Sequence, residues 1–383
     1  MASRRDFLIG AATGAVVAGG ATYLATAQKP EPMVAGTPEQ PGQAPGATSG
    51  TVEWKMVTTW PKNFPGLGTG AQRVADRISA MSNGKMVVRL YAAGELVPAF
   101  EAFDAVREGT AEMSHDASYY WVAKHKSTPF FCTVPGGLTQ QEHSGWIHHG
   151  GGQALWDELY AEFGLKAFLA GGSGVQMGGW FQKEINSLAD LDGLKMRIPG
   201  LGAEVVNRMG VTAVNMPGGE IMPALQSGVI DAAEWVGPWV DLTMGFYKVA
   251  KYYYGPGFHE GSTANELLIN EARWQALPSD LQAIVKVACH EANMILPAEY
   301  FARNTNTLPM LTGEHEVDVR NFPDDVLNAM FDISEEVNAE TASEGDINRR
   351  IYESWSNFRR RAIEYQPLSD FGFIGNRARA SRT

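Results

Sequence analysis

The sequence predicts an α/β fold with two lobes around a cleft. In the stretch 194–239, short apolar strand patterns alternate with short amphipathic helix patterns, and Gly or Pro stands at each junction. The segments 105–112 and 224–231 form a weak internal repeat, since each combines a helix end, a glycine and a strand start. The glycine-rich segments 171–174 and 255–257 suit two chain crossings between lobes. Together these features indicate two similar halves, although so short a repeat also arises wherever a helix, a glycine and a strand meet.

The elements of the first half follow in order from residue 51. Residues 51–170 carry alternating apolar patterns typical of strands and longer apolar spacings typical of helices, and they predict lobe one. We expect lobe two to span residues 171–257 and the stretch 258–322 to return to lobe one. The strand patterns of the first half begin at Val52, Met86, Ala111 and Leu165.

Residues 323–383 predict a long C-terminal helix and tail. Apolar side chains recur at helical spacing from Val326 to Phe358, which is unusually long for a globular helix. One lobe is too small to cover such a stripe, and an uncovered apolar stripe usually marks a partner surface. We therefore expect a homodimer. The alternative is a helix that is broken at Gly345 and folds back on its own chain.

Residues 1–27 predict a secretory signal of the twin-arginine (Tat) type, and hence a periplasmic protein. Arg4 and Arg5 precede a Gly- and Ala-rich apolar run, and small residues at 25–27 offer a cleavage site. The run is too short and too rich in glycine for a comfortable membrane span. Residues 28–50 are rich in Pro, Gly, Ala and Thr, and they predict a flexible leader.

Charge and cysteine content exclude several classes of partner and site. The formal net charge is −12. Removing residues 1–27, whose two arginines and one aspartate carry +1, leaves −13. This acidity argues against nucleic acid or an anionic membrane as a partner. Cys132 and Cys289 fit no zinc motif, and we expect two buried thiols.

Arg197 is the main candidate binding residue because it lies between Met196 and Ile198 in an apolar strand. An arginine stays charged in a protein, so its burial needs an anion. The planar guanidinium matches a carboxylate in two hydrogen bonds. That carboxylate belongs either to a ligand or to Glu234, which ends a later strand in the same stretch. Ligands of open α/β sheets bind outside such strand ends.

The segments GLKMRIPG (193–200) and MPGGEIMPALQSGVIDAAEW (216–235) resemble the periplasmic solute-binding subunits of TRAP transporters. The resemblance is greatest to the branch that binds 2-oxo acids and related monocarboxylates, and it covers roughly residues 52–365. It implies a two-lobed periplasmic binding protein that delivers its ligand to membrane permease subunits. It also implies that Arg197 clamps the ligand carboxylate and that the terminal helix is exchanged between the two chains of a homodimer.

The resemblance further implies a cation beside the ligand. Its ligands would be Gln176, Glu234, the Trp235 main-chain carbonyl and Glu260. Two carboxylates and a ligand carboxylate leave excess negative charge that Arg197 alone does not balance. Oxygen ligands suit a hard cation, and the resemblance favours sodium, with calcium as the alternative. We expect no Cys or His among the ligands, which argues against zinc and copper.

Tyr119 and Tyr120 complete the predicted binding site. In the family this region forms the cleft wall, so either hydroxyl could contact the ligand, together with Gln176, Glu234 and Trp235. Aromatic side chains at strand ends are more often part of the core, and that alternative stays open here.

The sequence therefore predicts a solute-binding protein and argues against an enzyme. No G-x-S-x-G elbow, H-E-x-x-H motif or paired catalytic Cys and His is present. An exported enzyme with similar lobes is the less favoured alternative. A periplasmic sensor that binds the same carboxylate is the other alternative, which the sequence alone leaves open.

Overall fold

The computed structural model describes residues 50–381 of the 383-residue chain. The predicted signal and all of the predicted leader except Gly50 lie outside the described residues. The described part is α/β, as predicted, with eleven strands and twelve α-helices. The strands are β1 Val52–Thr58, β2 Met86–Tyr91, β3 Met113–Asp116, β4 Leu165–Gly172, β5 Gly179–Phe181, β6 Lys195–Arg197, β7 Thr212–Val214, β8 Ala232–Ala233, β9 Tyr252–Tyr254, β10 Ala264–Asn270 and β11 Asp318–Arg320.

The helices range from short segments of six residues to a long helix that packs against β4 and β10 of the first sheet. The longest is α9, with 35 residues. The helices are α1 Leu67–Met81, α2 Ala102–Arg107, α3 Gln140–His149, α4 Gly152–Ala161, α5 Gly200–Arg208, α6 Gly218–Ser227, α7 Pro238–Met244, α8 Glu271–Ala276, α9 Ser279–Gly313, α10 Asp324–Glu340, α11 Asp346–Tyr365 and α12 Asp370–Ala380.

The strands form two separate sheets. The first has the order β2-β1-β3-β10-β4, and the second has the order β11-β9-β5-β8-β6-β7. The chain leaves the first sheet after β4 and returns to it at β10, which lies antiparallel between β3 and β4. β11 then pairs in parallel with β9 of the second sheet. The stretch 258–322, predicted to return to lobe one, therefore contributes to both sheets.

The stretch 194–239 folds as the predicted β-α-β-α-β unit. β6 lies between β7 and β8 and is parallel to both, with Arg197 opposite Val214 and Ala233. Parallel neighbours end at the same edge of a sheet, so the residues that follow β6 and β8 lie close together. Gly200 begins α5 at φ +61°, and a Cβ there would stand 3.1 Å from the Tyr119 Cβ. A side chain at position 200 would thus strain the backbone and crowd the cleft wall.

The C-terminal segment is helical, as predicted, but it is divided between Thr341 and Gly345 into α10 and α11. The prediction that the apolar stripe from Val326 to Phe358 is uncovered is wrong. Val326 and Trp355 are 0% and 2% exposed, because the chain's own helices cover them. The Trp146 indole on α3, for example, donates to the Ser354 hydroxyl on α11 at 3.1 Å. The break near Gly345, weighed above as the alternative, is the arrangement observed.

The large exposed apolar side chains of the C-terminus lie beyond this covered part. None of the residues of α12 is buried. The exposed set comprises Ile363, Tyr365, Leu368, Phe371, Phe373 and Ile374.

Cys132 and Cys289 are both buried free thiols, which confirms the expectation from their spacing. Burial raises the pKa of both thiols, so they stay protonated and unreactive. Among residues 50–381, none of the helices combines the length and apolar character that crossing a bilayer requires.

Candidate functional site

Arg197 ends β6 with its side chain 1% exposed and fully engaged by neighbouring groups. Its Nε donates to the Met216 carbonyl at 3.1 Å, and its Nη1 donates to the Glu234 carbonyl at 3.2 Å. Nη1 also pairs with the Glu234 carboxylate. Burial alone would lower the pKa of Arg197, but the Glu234 charge together with Tyr120 and Tyr119 outweighs burial and raises it. The internal ion pair considered from the sequence is therefore present in this structure.

Glu234, His259 and Glu260 form a buried cluster around this arginine. Their donor atoms lie within 4.8 Å of one another. The His259 Nε2 contacts the Glu234 Oε2 at 3.1 Å and the Glu260 Oε1 at 4.0 Å. This placement corrects the expectation that no histidine converges on the site. The residue was missed because position 259 lies in a loop, where no strand or helix period indicates which way a side chain points.

Gln176 joins the cluster through a short polar chain. Its Nε2 donates to the Ser173 hydroxyl at 3.1 Å and to the Thr263 hydroxyl, which in turn donates to Glu260. The main-chain N–H of Gln176 donates to the Glu260 carbonyl at 3.2 Å. These contacts connect the segment between β4 and β5 with the segment between β9 and β10, which are the two segments that join the sheets. Sequence analysis missed Ser173 and Thr263, because hydroxyl side chains in loops carry no distinguishing pattern.

The two tyrosines reach the site from the first sheet. They lie in a 3-10 helix, Ser118–Trp121, that directly follows β3. The Arg197 Nη2 donates to the Tyr120 hydroxyl at 3.5 Å, and the Tyr119 and Tyr120 rings meet edge to face at 4.7 Å. Burial raises the pKa of Tyr120 to about 12, so the hydroxyl stays protonated and can donate to an anion.

Trp235 covers the opposite side of the arginine. The Arg197 guanidinium lies over the Trp235 ring at 5.1 Å, and the Phe64 ring packs against that indole edge to face. The indole N–H of Trp235 is buried without a hydrogen-bond partner among residues 50–381. A cation over an aromatic face gains up to about 2 kcal/mol when desolvated. The aromatic wall therefore stabilises the charge of Arg197 and excludes water.

The electrostatics of the cluster are dominated by two buried carboxyl groups. Burial and the nearby Glu234 charge raise the pKa of Glu260 to about 7. For His259, burial alone would lower the pKa, but the Glu234 hydrogen bond and both carboxylate charges raise it. The site thus favours added positive charge near Glu234 and Glu260.

The residues present fit a hard cation. The Gln176 Oε1 is buried without a hydrogen-bond partner among the described residues, so one amide oxygen is available as a ligand. Glu234 and Glu260 supply carboxylate oxygens close to each other. Oxygen donors of this kind suit sodium or calcium, and the single imidazole of His259 is the only nitrogen ligand among the clustered groups.

The fold has two β-sheets joined by two chain crossings, and a buried arginine and a carboxylate cluster lie beside those crossings. This arrangement is typical of a solute-binding protein. Residues 56–344 match the family model described as bacterial extracellular solute-binding protein, family 7. The chain therefore belongs to this family, the DctP family of TRAP solute-binding proteins.

Similar proteins of known structure or curated function support this assignment. The chain is 41% identical over 322 residues to a monocarboxylate 2-oxoacid-binding periplasmic protein of Nostoc, covering 84% of this chain and 88% of that protein. A dimeric Bordetella bronchiseptica protein with bound calcium and picolinate is 37% identical with a TM-score of 0.85, covering 87% and 99% of the two chains. A Pseudoalteromonas atlantica protein with bound sodium and pyruvate is 38% identical with a TM-score of 0.82, covering 85% and 99%.

Proposed function

We propose that this protein captures a small 2-oxo acid or related monocarboxylate together with a cation in the periplasm. It then delivers the ligand to the membrane permease subunits of a TRAP transporter. The observation that carries this proposal is the fully buried Arg197, whose carboxylate partner Glu234 also belongs to a candidate cation site. The Nostoc relative named for 2-oxo acids and the pyruvate-bound structure support this ligand class.

In the proposed complex, Arg197 exchanges its partner. The ligand carboxylate accepts from the guanidinium, and Glu234 turns to the cation instead. This exchange keeps every buried charge paired, since an arginine or a carboxylate left alone in this site would be strongly destabilising. The Tyr120 hydroxyl, already within 3.5 Å of the Arg197 Nη2, is placed to donate to the same ligand.

The proposed cation is sodium, held by Gln176, Glu234, Glu260 and the Trp235 main-chain carbonyl. With two oxygens from a 2-oxo acid, these residues offer about six ligands, which is the lower end of the range that calcium prefers. The Glu260 Oε2 and the Glu234 Oε2 already accept hydrogen bonds from Thr263 and His259, which limits bidentate coordination. A monovalent ion with a modest demand for ligands suits this set, and calcium is the alternative outcome.

We also propose a homodimer. One similar structure, the Bordetella bronchiseptica protein, is a dimer. The exposed apolar side chains of the C-terminus offer a surface for a second copy, because large contiguous apolar patches are rarely left in water.

A thermal-shift screen tests the ligand class. Pyruvate, longer 2-oxo acids and lactate would be compared in sodium buffer, with methyl pyruvate as the control that lacks a carboxylate. A ligand at about 100 times its Kd adds about 2.7 kcal/mol to the free energy of unfolding. Stabilisation by the 2-oxo acids and none by methyl pyruvate is expected. Equal shifts with acid and ester would contradict recognition of the carboxylate by Arg197.

A further inference from the structure

A second pair of carboxyl groups is buried in the first sheet, away from the cation cluster. Asp116 on β3 and Glu266 on β10 stand directly opposite each other in the antiparallel register, and both are 0% exposed. Directly opposite residues of an antiparallel pair have Cβ atoms about 4.5–5.5 Å apart on the same face of the sheet, so the two carboxyl groups are within reach of each other. None of the described residues forms an ion pair with either group. Opposed like charges at this depth would be strongly destabilising.

The hydrogen bonds around the pair leave one carboxylate oxygen without a donor, which a single added proton would supply. The Glu266 Oε1 accepts from the Trp121 indole at 2.8 Å, and its Oε2 accepts from the Tyr160 hydroxyl at 3.1 Å. The Asp116 Oδ2 accepts from the Ser114 hydroxyl at 2.6 Å. The Asp116 Oδ1, which remains, has no donor among residues 50–381. A proton on one carboxyl group supplies the missing donor, in the way that two adjacent carboxyl groups of aspartic proteases share one proton.

The surroundings of the pair favour retention of that proton. Burial raises the pKa of Glu266 well above its usual range, and burial likewise raises the pKa of Asp116. The other titratable groups near the pair are Tyr160 and the Cys132 thiol, whose own pKa values are raised by burial and by the Glu266 charge. Both are neutral as long as they keep their protons, so neither one supplies a compensating positive charge.

The pair also holds the turn that carries the binding-site tyrosines. Asp116 ends β3, and the 3-10 helix Ser118–Trp121 begins two residues later. Trp121 ends that helix and donates to Glu266 on the neighbouring strand. Tyr119 and Tyr120 thus lie in a turn whose two ends are anchored, one through β3 and the other through the indole.

We propose that Asp116 and Glu266 share one proton and act as positioning residues for the Tyr119–Tyr120 turn of the binding site. This proposal rests on the proposed ligand site only for the role of the tyrosines. The sharing of the proton is independent of any ligand.

Proton release on unfolding tests the sharing. Calorimetric unfolding near pH 7, in buffers of different ionisation enthalpy, counts the protons released. The unfolded chain ionises both groups, because their ordinary pKa values are near 4. In the double variant Asp116→Asn/Glu266→Gln neither position titrates, so this variant should release about one proton fewer than the parent, whereas two protons fewer would mean that both groups are protonated in the folded protein. Asp332→Asn, at an exposed position, is the matched control and should release the same number as the parent.

Amide hydrogen exchange in residues 118–121 tests the positioning without ligand. Trp121→Phe removes the indole donor and should speed exchange there, as should Glu266→Ala. Glu266→Gln keeps an acceptor for the indole and should restore slow exchange, which loss of general packing would not predict. Pyruvate affinity in sodium buffer should fall about tenfold in Trp121→Phe and stay near the parent value in Glu266→Gln.

Three results separate failure of this proposal from failure of the proposed function. Proton release in the double variant Asp116→Asn/Glu266→Gln that equals the parent's, or that is two protons lower, would overturn the shared proton. Unchanged exchange in residues 118–121 of both Trp121→Phe and Glu266→Ala would overturn the positioning role. A parent protein that binds no pyruvate, with the expected proton count and exchange, would overturn the ligand assignment and leave the pair supported.

Discussion

Arg197 ends β6, Glu234 directly follows the parallel strand β8, and the two side chains pair with each other in the buried site. Both side chains are at most 1% exposed, so water does not screen either charge. The strand register fixes this contact, because Arg197 lies opposite Ala233 and Glu234 follows at once. Without ligand, Glu234 balances the charge of the buried Arg197. In the proposed complex the ligand carboxylate replaces Glu234 at the arginine, and the Glu234 carboxylate becomes available to the cation.

Arg197→Lys should weaken 2-oxo acid binding strongly, and Arg197→Ala should weaken it further. Lysine keeps the charge but loses the planar fork that bonds a carboxylate through two nitrogens. Loss of a buried charged partner costs on the order of 3–5 kcal/mol, or at least about a hundredfold in affinity. Titration calorimetry with pyruvate measures the effect. Arg208→Lys, at a partly exposed surface pair, serves as the control and should bind like the parent.

Near-parent affinity in both Arg197 variants would show that the arginine is only an internal partner of Glu234. In that case Arg197→Ala should still be less stable, because Glu234 would lose its buried counter-charge. A thermal unfolding curve recorded beside the titration distinguishes loss of binding from loss of the fold.

Much of this site could be predicted from the sequence because it lies at strand ends. The positions of Arg197 and Glu234 follow from an apolar period of two and from glycines at the junctions. His259 and Thr263 could not be placed, since they lie in a loop whose path depends on packing between the two sheets. Their contacts with Glu234 and Glu260 appear only once the chain crossing is folded.

The C-terminal segment shows a different limit of sequence reasoning. The helical spacing of apolar residues from Val326 to Phe358 correctly predicts a helix. The same spacing occurs whether the apolar stripe is covered by its own chain or by a partner. Here α3 and α4 of the same chain supply the cover, which the local sequence of α11 does not encode. The pairing of β11 with β9 escaped prediction for the same reason, since partners distant in sequence leave no local signal.

Withholding the cation should lower ligand affinity. The ion would bridge the ligand and the carboxylates, so its absence leaves Glu234 and Glu260 with excess negative charge beside an anion. After chelator treatment, pyruvate binding would be measured in choline, in sodium, and in choline with calcium. We expect the tightest binding in sodium. Tightest binding in calcium would identify the divalent ion instead, and equal affinity in all three would remove the ion from the mechanism.

Glu234→Gln should reproduce the effect of removing the cation. The amide retains the shape of the side chain but loses the charge that attracts the ion, and it also loses the ion pair with Arg197. Pyruvate affinity should fall and should no longer respond to sodium. Glu204→Gln, at an exposed surface carboxylate, is the matched control and should keep the full sodium response. A sodium response in Glu234→Gln equal to that of the parent would place the ion elsewhere.

Ligand binding should bring the two lobes together. The chain passes from the first sheet to the second between β4 and β5 and returns between β9 and β10, and the Gln176 side chain links these two segments by donating to Ser173 and Thr263. Hinges of this kind absorb backbone rotation while the sheets move as units. Small-angle scattering should give a smaller radius of gyration with pyruvate. Arg197→Ala at the same pyruvate concentration is the control, and a change of equal size in that variant would mean that closure does not report ligand capture.

The exposed apolar side chains after α11 should mediate dimerisation. Leu368 and Phe371 are 85% and 70% exposed on the isolated chain, so pairing with a second copy would remove them from water. Light scattering at micromolar concentration should give twice the monomer mass for the mature protein. The double variant Leu368→Glu/Phe371→Glu should give the monomer mass, because two charges at the contact are costly to bury. Val229→Glu, at a 58% exposed position outside this segment, should stay dimeric. A monomer mass for the parent protein would refute the dimer, whereas a dimer that persists in the double variant would move the interface away from the C-terminus.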